Sequence, residues 1–173
     1  MASTTKSKKA FCGFLSLVAA APLLVAGCAQ LQTANTYGEK AKVIAVRVNM
    51  RMVQQAAEAY AQDHTYLYPT QIDDDFKSHF ENGNPSARLP GIAPINPFTG
   101  QSEWPVLGQQ ADLLEARSAA PTALKSGVIE YSPLNDGKSY AIRAGDESNL
   151  AIAGEGASKT LVISRDSYTK PTK

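Results

Sequence analysis

The chain has 173 residues, of which 43% are hydrophobic and 19% charged, the composition of one ordinary globular domain with a short extra segment. The 17 basic and 16 acidic residues give a net charge of +1, which leaves no broad basic face for a nucleic-acid backbone. Two histidines and two cysteines are too few for most metal or thiol chemistry. We therefore expect a protein that is not an enzyme and holds no metal and no cofactor.

The first 27 residues have the pattern of an export signal. Residues 1–9 are polar and carry three lysines, and residues 10–26 carry no charge. Those 17 apolar residues would span about 26 Å as a helix, less than the roughly 30 Å core of a bilayer. Pro22 disfavours an uninterrupted helix as well. A basic start, a short apolar run and small residues at its end are typical of a secretory signal peptide.

The end of the apolar run is more specific. Leu24-Val25-Ala26-Gly27-Cys28 resembles the lipobox of bacterial lipoproteins. The resemblance implies a diacylglyceryl group on Cys28 and cleavage after Gly27. The small and polar residues that follow predict a tether over residues 28–36. Cys12 would leave with the signal, so no disulfide could form within the mature chain. We expect a lipid-anchored protein at the cell membrane or outer membrane, exposed outside the cytoplasm.

A second processing site leaves an alternative open. Lys8-Lys9-Ala10-Phe11-Cys12-Gly13-Phe14 loosely resembles the prepilin cleavage site, which is cut after the glycine. Pilins then carry Glu at the fifth mature position and a longer apolar helix. Here that position is Val18, and the apolar run stops at Ala26. A divergent pilin processed after Gly13 is therefore the alternative to a lipoprotein.

After the tether, the sequence predicts a long helix from Tyr37 to about Asp63. Apolar residues recur at alternating steps of three and four, the period of a helix with one buried side. This stripe consists of Val43, Val46, Met50, Val53, Ala57 and Tyr60. A second set widens it: Ile44, Val48, Met52, Ala56 and Ala59. The polar side is marked by Arg47, Arg51, Gln54, Glu58 and Gln62.

Shorter elements follow this helix. Thr70, with Asp73 three residues later, resembles a capping box and predicts a second helix that buries Ile72, Phe76 and Phe80. Five prolines in residues 84–106 predict an ordered but irregular stretch. We expect a brief helix within residues 109–118.

The pattern then changes to that of strands. Residues 127–131 and 139–143 flank Asn135-Asp136-Gly137, a hairpin turn signal, and residues 150–153 and 160–164 continue the pattern. The prediction is an α+β domain over residues 37–166, followed by a polar tail at 167–173. In it one long N-terminal helix packs on a three- to four-stranded antiparallel sheet.

Several stretches, taken in chain order, resemble the headpieces of type IV pilins and type II secretion pseudopilins. They are residues 49–60, Tyr68-Pro69-Thr70, Leu89-Pro90, Asn96-Pro97-Phe98-Thr99-Gly100, Gly127-Val128-Ile129-Glu130-Tyr131 and Tyr140-Ala141-Ile142. The resemblance implies a pilin-like fold and a non-enzymatic part of a pilus or secretion apparatus. Because a lipid would replace the apolar half-helix of pilins, we expect a membrane-bound headpiece that acts by protein–protein contact.

A tryptophan and a possible pocket bear on this prediction. Trp104, in the proline-rich stretch, is a candidate partner contact, and the alternative is that it fixes the loop to the helix. An apolar pocket with converging polar groups would favour a different function, an envelope lipoprotein that binds a peptide or glycan.

Other polar clusters predict structural roles. Major pseudopilins bind calcium late in their sheet, and Asn135, Asp136, Asp146 and Glu147 supply oxygens in that region. The spacing of the family is not reproduced, so we expect solvated turn carboxylates. For Asp73-Asp74-Asp75 and for His64 and His79 we expect roles at helix ends or on the surface.

Overall fold

The computed structural model describes residues 21–118, 120–156 and 158–165, with side chains from Gly38 onward. The chain divides into two units, Met1–Tyr37 and Gly38–Lys173. Residues 1–20 and the predicted tail at 167–173 lie outside the described residues. The second unit is an α+β domain, in which one long helix packs on a three-stranded mixed sheet.

The first helix, α1, runs from Ala21 to Asp63. It begins before the predicted start at Tyr37 and includes the backbone of residues 29–36, which the sequence predicts to be a tether. Those residues contain neither glycine nor proline, and their alanine, leucine and glutamine favour a helix. The part within the second unit, from Gly38, is about 39 Å long at about 1.5 Å per residue.

The helix ends where predicted, because the following turn leaves helical geometry. The carbonyl of Ala61 accepts hydrogen bonds from the backbone N–H groups of His64 (3.3 Å) and Tyr66 (2.8 Å). Thr65 and Tyr66 have φ angles of 53° and 62°. Two consecutive residues in the left-handed region cannot continue a right-handed helix.

The periodic stripe of α1 forms the centre of the core. Val46, Met50, Val53 and Ala57 are completely buried, and Val43 and Tyr60 are half-buried at the two ends. The sheet covers this stripe with Ile129, Tyr131, Tyr140 and Ile142. The wider set was predicted incorrectly in part, since Ile44 and Val48 are exposed. A three-stranded sheet is too narrow to cover so broad an apolar side.

The sheet has the order β1-β2-β3, with β1 at Val106–Leu107, β2 at Ile129–Leu134 and β3 at Ser139–Ala144. β2 and β3 form the predicted antiparallel hairpin, whose turn places Asn135, Asp136 and Gly137 at positive φ. β1 pairs with β2 in parallel, so the prediction of an entirely antiparallel sheet is wrong. Two parallel strands need a crossover connection, and the chain between β1 and β2 supplies it.

The predicted strands at 150–153 and 160–164 are also incorrect. These segments make only isolated bridges, which pair Gly145 with Ala151, Ala153 with Thr160, and Ile142 with Ile163. The second segment changes partner within four residues, from the first segment at Thr160 to β3 at Ile163. A strand pairs consecutive residues with one neighbouring strand, and a segment that changes partner so soon cannot do this.

The opposite side of the sheet is covered by a short helix. α3, Leu113–Ser118, lies in the stretch predicted to be helical. Its buried Ala116 packs with Leu134, Ala141 and Val162 in a second, smaller core. Alternate residues of β2 and β3 therefore face α1 and α3, as the pleat of a strand requires.

The second helix, α2, spans only Asp74–Lys77. Its N-cap is Asp73, whose carboxylate accepts a hydrogen bond from the backbone N–H of Phe76 (2.9 Å). The predicted capping box beginning at Thr70 is therefore wrong. The predicted apolar side is confirmed, because Phe76 and Phe80 are buried and Ile72 packs against the same core.

Candidate functional site

The residues of the proposed lipid attachment lie at the limit of the described region. Gly27 and Cys28 fall within the backbone of α1 in the unit Met1–Tyr37, and their side chains lie outside the described set. The alternative cleavage site at Gly13 lies outside the described residues altogether. Among the helices in the described part of the chain, none has the length and apolar character needed to cross a membrane.

An open groove of about 390 Å³ runs between α1 and the segment that follows β3. Its apolar lining comes from Val43, Ile44, Ile152 and Ala153. Lys40 and Arg47 border it on the helix side, and Asp146 and Glu147 border it on the other. Charges of opposite sign on two rims, with an apolar surface between them, suit an extended ligand that carries both polar and apolar groups.

The turn that carries Asp146 is fixed by its own carboxylate. Asp146 Oδ1 accepts hydrogen bonds from the backbone N–H groups of Ser148 (2.8 Å) and Leu150 (3.1 Å). The hairpin turn with Asn135 and Asp136 lies at the other end of β3, about 20 Å away along a six-residue strand. The four oxygen donors considered for calcium therefore do not converge. Within the described residues, no cluster of three or more His, Cys, Asp or Glu side chains could hold a metal ion.

Trp104 fixes the proline-rich stretch to the segment after α2. Its ring meets that of Phe80 edge-on, with centroids 5.1 Å apart, and Lys77 Nζ lies 5.7 Å from the ring centroid. The indole is half-buried against the main core. These contacts support the structural alternative, although the anchor is the region of α2 rather than the long helix. A partner contact through the remaining exposed part of Trp104 stays a prediction.

Asn96 holds the middle of the proline-rich stretch. Its side chain is almost completely buried, and Nδ2 donates to the carbonyl of Ser126 (3.0 Å) and to Glu103 Oε2 (3.1 Å). Gly127 has a φ of 75°, and a Cβ added there would collide with Asn96 Oδ1. A glycine is therefore required at 127 both by conformation and by the close approach of the amide.

A group of phenols surrounds Glu58 on the inner side of α1. Glu58 Oε1 accepts a hydrogen bond from the Tyr140 hydroxyl (2.6 Å), and Oε2 accepts one from the Tyr68 hydroxyl (3.0 Å). Gln54 Nε2 donates to the Tyr140 oxygen and to the carbonyl of Ser164, both at 3.2 Å. Gln54 and Glu58 thus face inward, so placing them on the polar side of the helix was wrong.

Burial changes the acidity of the tyrosines in this part of the core. Desolvation raises the pKa of Tyr131 well above its ordinary value, and the neighbouring Tyr68, Tyr60 and Glu58 add to that effect. Desolvation also raises the pKa of Tyr140, with its hydrogen bond to Glu58 as the next cause. Both phenols are therefore held in the neutral form.

The two buried phenols differ in their hydrogen bonding, which gives a first prediction. The Tyr131 hydroxyl has no hydrogen-bond partner in the described structure, whereas the Tyr140 hydroxyl has two. Tyr131→Phe should raise the free energy of unfolding by about 1 kcal/mol, because it removes an unpaired buried polar group. Tyr140→Phe should lower it by about 2 kcal/mol, since Glu58 and Gln54 each lose one of their hydrogen-bond partners. Urea unfolding followed by the fluorescence of Trp104, the single tryptophan, measures both. Equal effects of the same sign would contradict this assignment.

A second prediction concerns alkaline pH. Below about pH 10 the phenols are protonated in both the folded and the unfolded chain, so their contribution is constant. Above that pH the unfolded chain releases protons that buried Tyr131 and Tyr140 retain, so the free energy of unfolding falls. The expected slope is up to about 1.4 kcal/mol per pH unit for each tyrosine. Urea unfolding between pH 9 and pH 11 (about one unit either side of a free phenol) measures it, and the double Tyr→Phe variant should lose most of the slope.

The two histidines join the end of α1 to α2. His64 stacks on Tyr60 with ring centroids 3.7 Å apart, and its Nε2 lies 3.1 Å from Asp75 Oδ2. The side chain of His79 is only 2% exposed, and its Nε2 lies 3.2 Å from Asp63 Oδ2. These contacts agree with the helix-end role. The burial of His79 was not predicted, because its partner Asp63 lies sixteen residues earlier, at the end of α1.

The comparisons of this chain with protein-family models, with curated proteins and with solved structures found no match. The pilin-like character of the domain is therefore a prediction that rests on the sequence stretches alone.

Proposed function

We propose that this protein is a non-enzymatic, membrane-anchored lipoprotein with a pilin- or pseudopilin-like domain. It acts by protein–protein contact in or near a type IV pilus or a type II secretion-like apparatus, outside the cytoplasm. The observation that carries the proposal is the lipobox-like Leu24–Cys28, whose cysteine would be the first residue of a mature sequence with a long amphipathic helix. A diacylglyceryl group on Cys28 supplies the two acyl chains needed for stable anchoring.

The arrangement of α1 supports a headpiece rather than a shaft subunit. The apolar stripe of the helix, centred on Met50 and Val53, is buried against the sheet of the same domain, so it cannot pack against a neighbouring subunit. The mature sequence from Cys28 to Lys42 is predominantly polar and offers no apolar half-helix to pack against neighbouring subunits. A partner would then bind the surface of the domain, and Trp104 in the proline-rich stretch is the candidate contact.

A second candidate is an envelope lipoprotein that binds a peptide or glycan. The groove between α1 and the Asp146 turn favours it, because charged rims flank an apolar lining. The groove is wide open to solvent, whereas tight binding of a small ligand usually requires a more enclosed site. Protein–protein contact is therefore the better-supported function.

The decisive experiment is mass analysis of the mature N-terminus in membranes of cells that express the full chain. A chain that begins at Cys28 and carries a diacylglyceryl group is the expected result. A chain that begins at Phe14 would overturn the proposal in favour of a divergent pilin. An unmodified N-terminus at another position would make it a plain secreted protein.

Cross-linking in intact cells then separates the two candidate functions. Cross-links to a component of a pilus or secretion apparatus are expected. Cross-links that place a peptide or glycan against Ile44 and Ile152, in the groove, would instead favour the ligand-binding alternative.

A further inference from the structure

The exposed side of α1 combines cations with aliphatic side chains. Five exposed residues lie within about 60° of one line along the helix, at 3.6 residues per turn. They are Lys40, Ile44, Arg47, Val48 and Arg51, and we call them the basic face. Ile44 is 62% exposed and Val48 is 56% exposed. The helix carries no aspartate or glutamate between Lys40 and Gln55.

The cations of this face are available for a ligand. In the described part of the domain, Lys40 and Arg47 form no ion pair. Arg51 donates to Gln54 Oε1 (2.7 Å), a neutral acceptor that leaves its charge uncompensated. Cations that form no ion pair within the domain can attract an anionic surface.

On α1, Glu39 pairs with Lys42 (3.0 Å) and Glu58 faces the core, and the other acidic side chains near the helix lie beside the basic face or at its C-terminal end. Asp146 and Glu147 border the groove next to it, and the Asp146 carboxylate is already engaged by two backbone N–H groups. Asp63 and Asp73–Asp75 gather at the C-terminal end of α1. Within residues 38–63 of α1, the cations therefore precede the acidic cluster in the sequence.

We infer that the basic face of α1 docks on an anionic phospholipid surface. Lys40, Arg47 and Arg51 meet lipid phosphates, and the two aliphatic side chains enter the boundary between headgroups and acyl chains. A helix that presents cations beside exposed aliphatic residues is the arrangement that binds such a boundary. The inference rests on the proposed function in one respect: a lipid on Cys28, twelve positions before Lys40, holds the face close to the bilayer.

The test uses the purified lipidated chain with Ile44→Cys, labelled with a fluorophore and reconstituted in vesicles that contain headgroup spin-labelled lipid. Cys28 is capped by its lipid and Cys12 leaves with the signal, so the introduced thiol is the single reactive one. Quenching of the label is expected to be strong when phosphatidylglycerol is present and weak in vesicles of phosphatidylcholine alone.

Two variants provide the controls. Leu114→Cys carries the label on α3, on the opposite side of the sheet, where the side chain is 78% exposed, and it should remain unquenched. Lys40→Gln combined with Arg47→Gln should lower the equilibrium constant for docking of the basic face on the lipid surface about 30-fold. Arg51 is retained because it contacts the buried Gln54.

Three results would overturn the inference. They are equal quenching at positions 44 and 114, quenching independent of phosphatidylglycerol, and protection of the label that grows with the density of protein in the vesicle. The last would assign the face to a second copy of the chain. If Cys28 instead accepts the fluorophore, it is the lipid anchor that fails. The Ile44→Cys chain is then prepared with Cys12→Ser and Cys28→Ser, so that only position 44 carries the label, and is added to the same vesicles from solution. Quenching at position 44 still supports the inference there, and its absence overturns it.

Discussion

The Cys28→Ser chain is expected to incorporate no labelled fatty acid and to keep its first 27 residues. The lipobox-like sequence leaves one thiol at the junction, and a thioether cannot form on a serine hydroxyl. Each buried methylene contributes about 0.8 kcal/mol, so two acyl chains contribute on the order of 20 kcal/mol to membrane attachment. The expected change is therefore all-or-none. Metabolic labelling of the expressed chain and its intact mass measure it.

Cys12→Ser is the matched control for this prediction. Cys12 lies in the apolar run, sixteen positions before Cys28, and leaves with the signal if cleavage follows Gly27. This variant should be labelled and processed as the wild-type chain is. Fatty-acid incorporation that persists in Cys28→Ser and disappears in Cys12→Ser would contradict the prediction, because it would show that Cys12 carries the lipid.

The core of the domain could be predicted because its signal is periodic and long. Six residues over about five turns of α1 repeat the same spacing, and the residues at that spacing, such as Met50 and Val53, are the ones that are buried. The hairpin was equally accessible, because Asn135-Asp136-Gly137 requires left-handed backbone and lies between two β-rich runs. Both signals are local and need no knowledge of the partner element.

The remaining architecture depends on distant pairing. β1 has two residues, Val106 and Leu107, and two residues cannot show a period. The segment 160–164 has the composition of a strand, but it divides its hydrogen bonds between two partners and forms no ladder. Which strands pair, and in which direction, is decided by chain crossings that no local window contains.

Buried polar residues escaped prediction for a related reason. Gln54 and Glu58 are residue types typical of an exposed helix side, yet both form hydrogen bonds with Tyr140 of β3. Their partner Tyr140 is about eighty residues later in the chain, so nothing near the helix identifies them. The open groove was not predicted for a similar reason, because its two sides, residues 40–47 and 146–153, are far apart in the sequence.

The ion pair between Arg143 and Glu130 gives the largest expected change in stability. Arg143 is 4% exposed, lies directly opposite Glu130 in the β2–β3 register, and donates from Nε (3.0 Å) and Nη2 (2.8 Å) to Glu130 Oε1. Glu130→Ala leaves the guanidinium buried without its counter-ion. The free energy of unfolding should fall by about 3–5 kcal/mol.

Two comparisons show whether this loss comes from the uncompensated charge. Glu130→Leu combined with Arg143→Met removes both charges and should recover most of the stability, because apolar residues of similar volume can replace a buried pair. Glu39→Ala removes the acid of an exposed pair, Glu39 with Lys42, and should cost less than about 1 kcal/mol. Urea unfolding monitored by Trp104 measures all three variants at constant pH. A double variant as unstable as Glu130→Ala would show that packing on the α3 side of the sheet, rather than the buried charge, determines the loss.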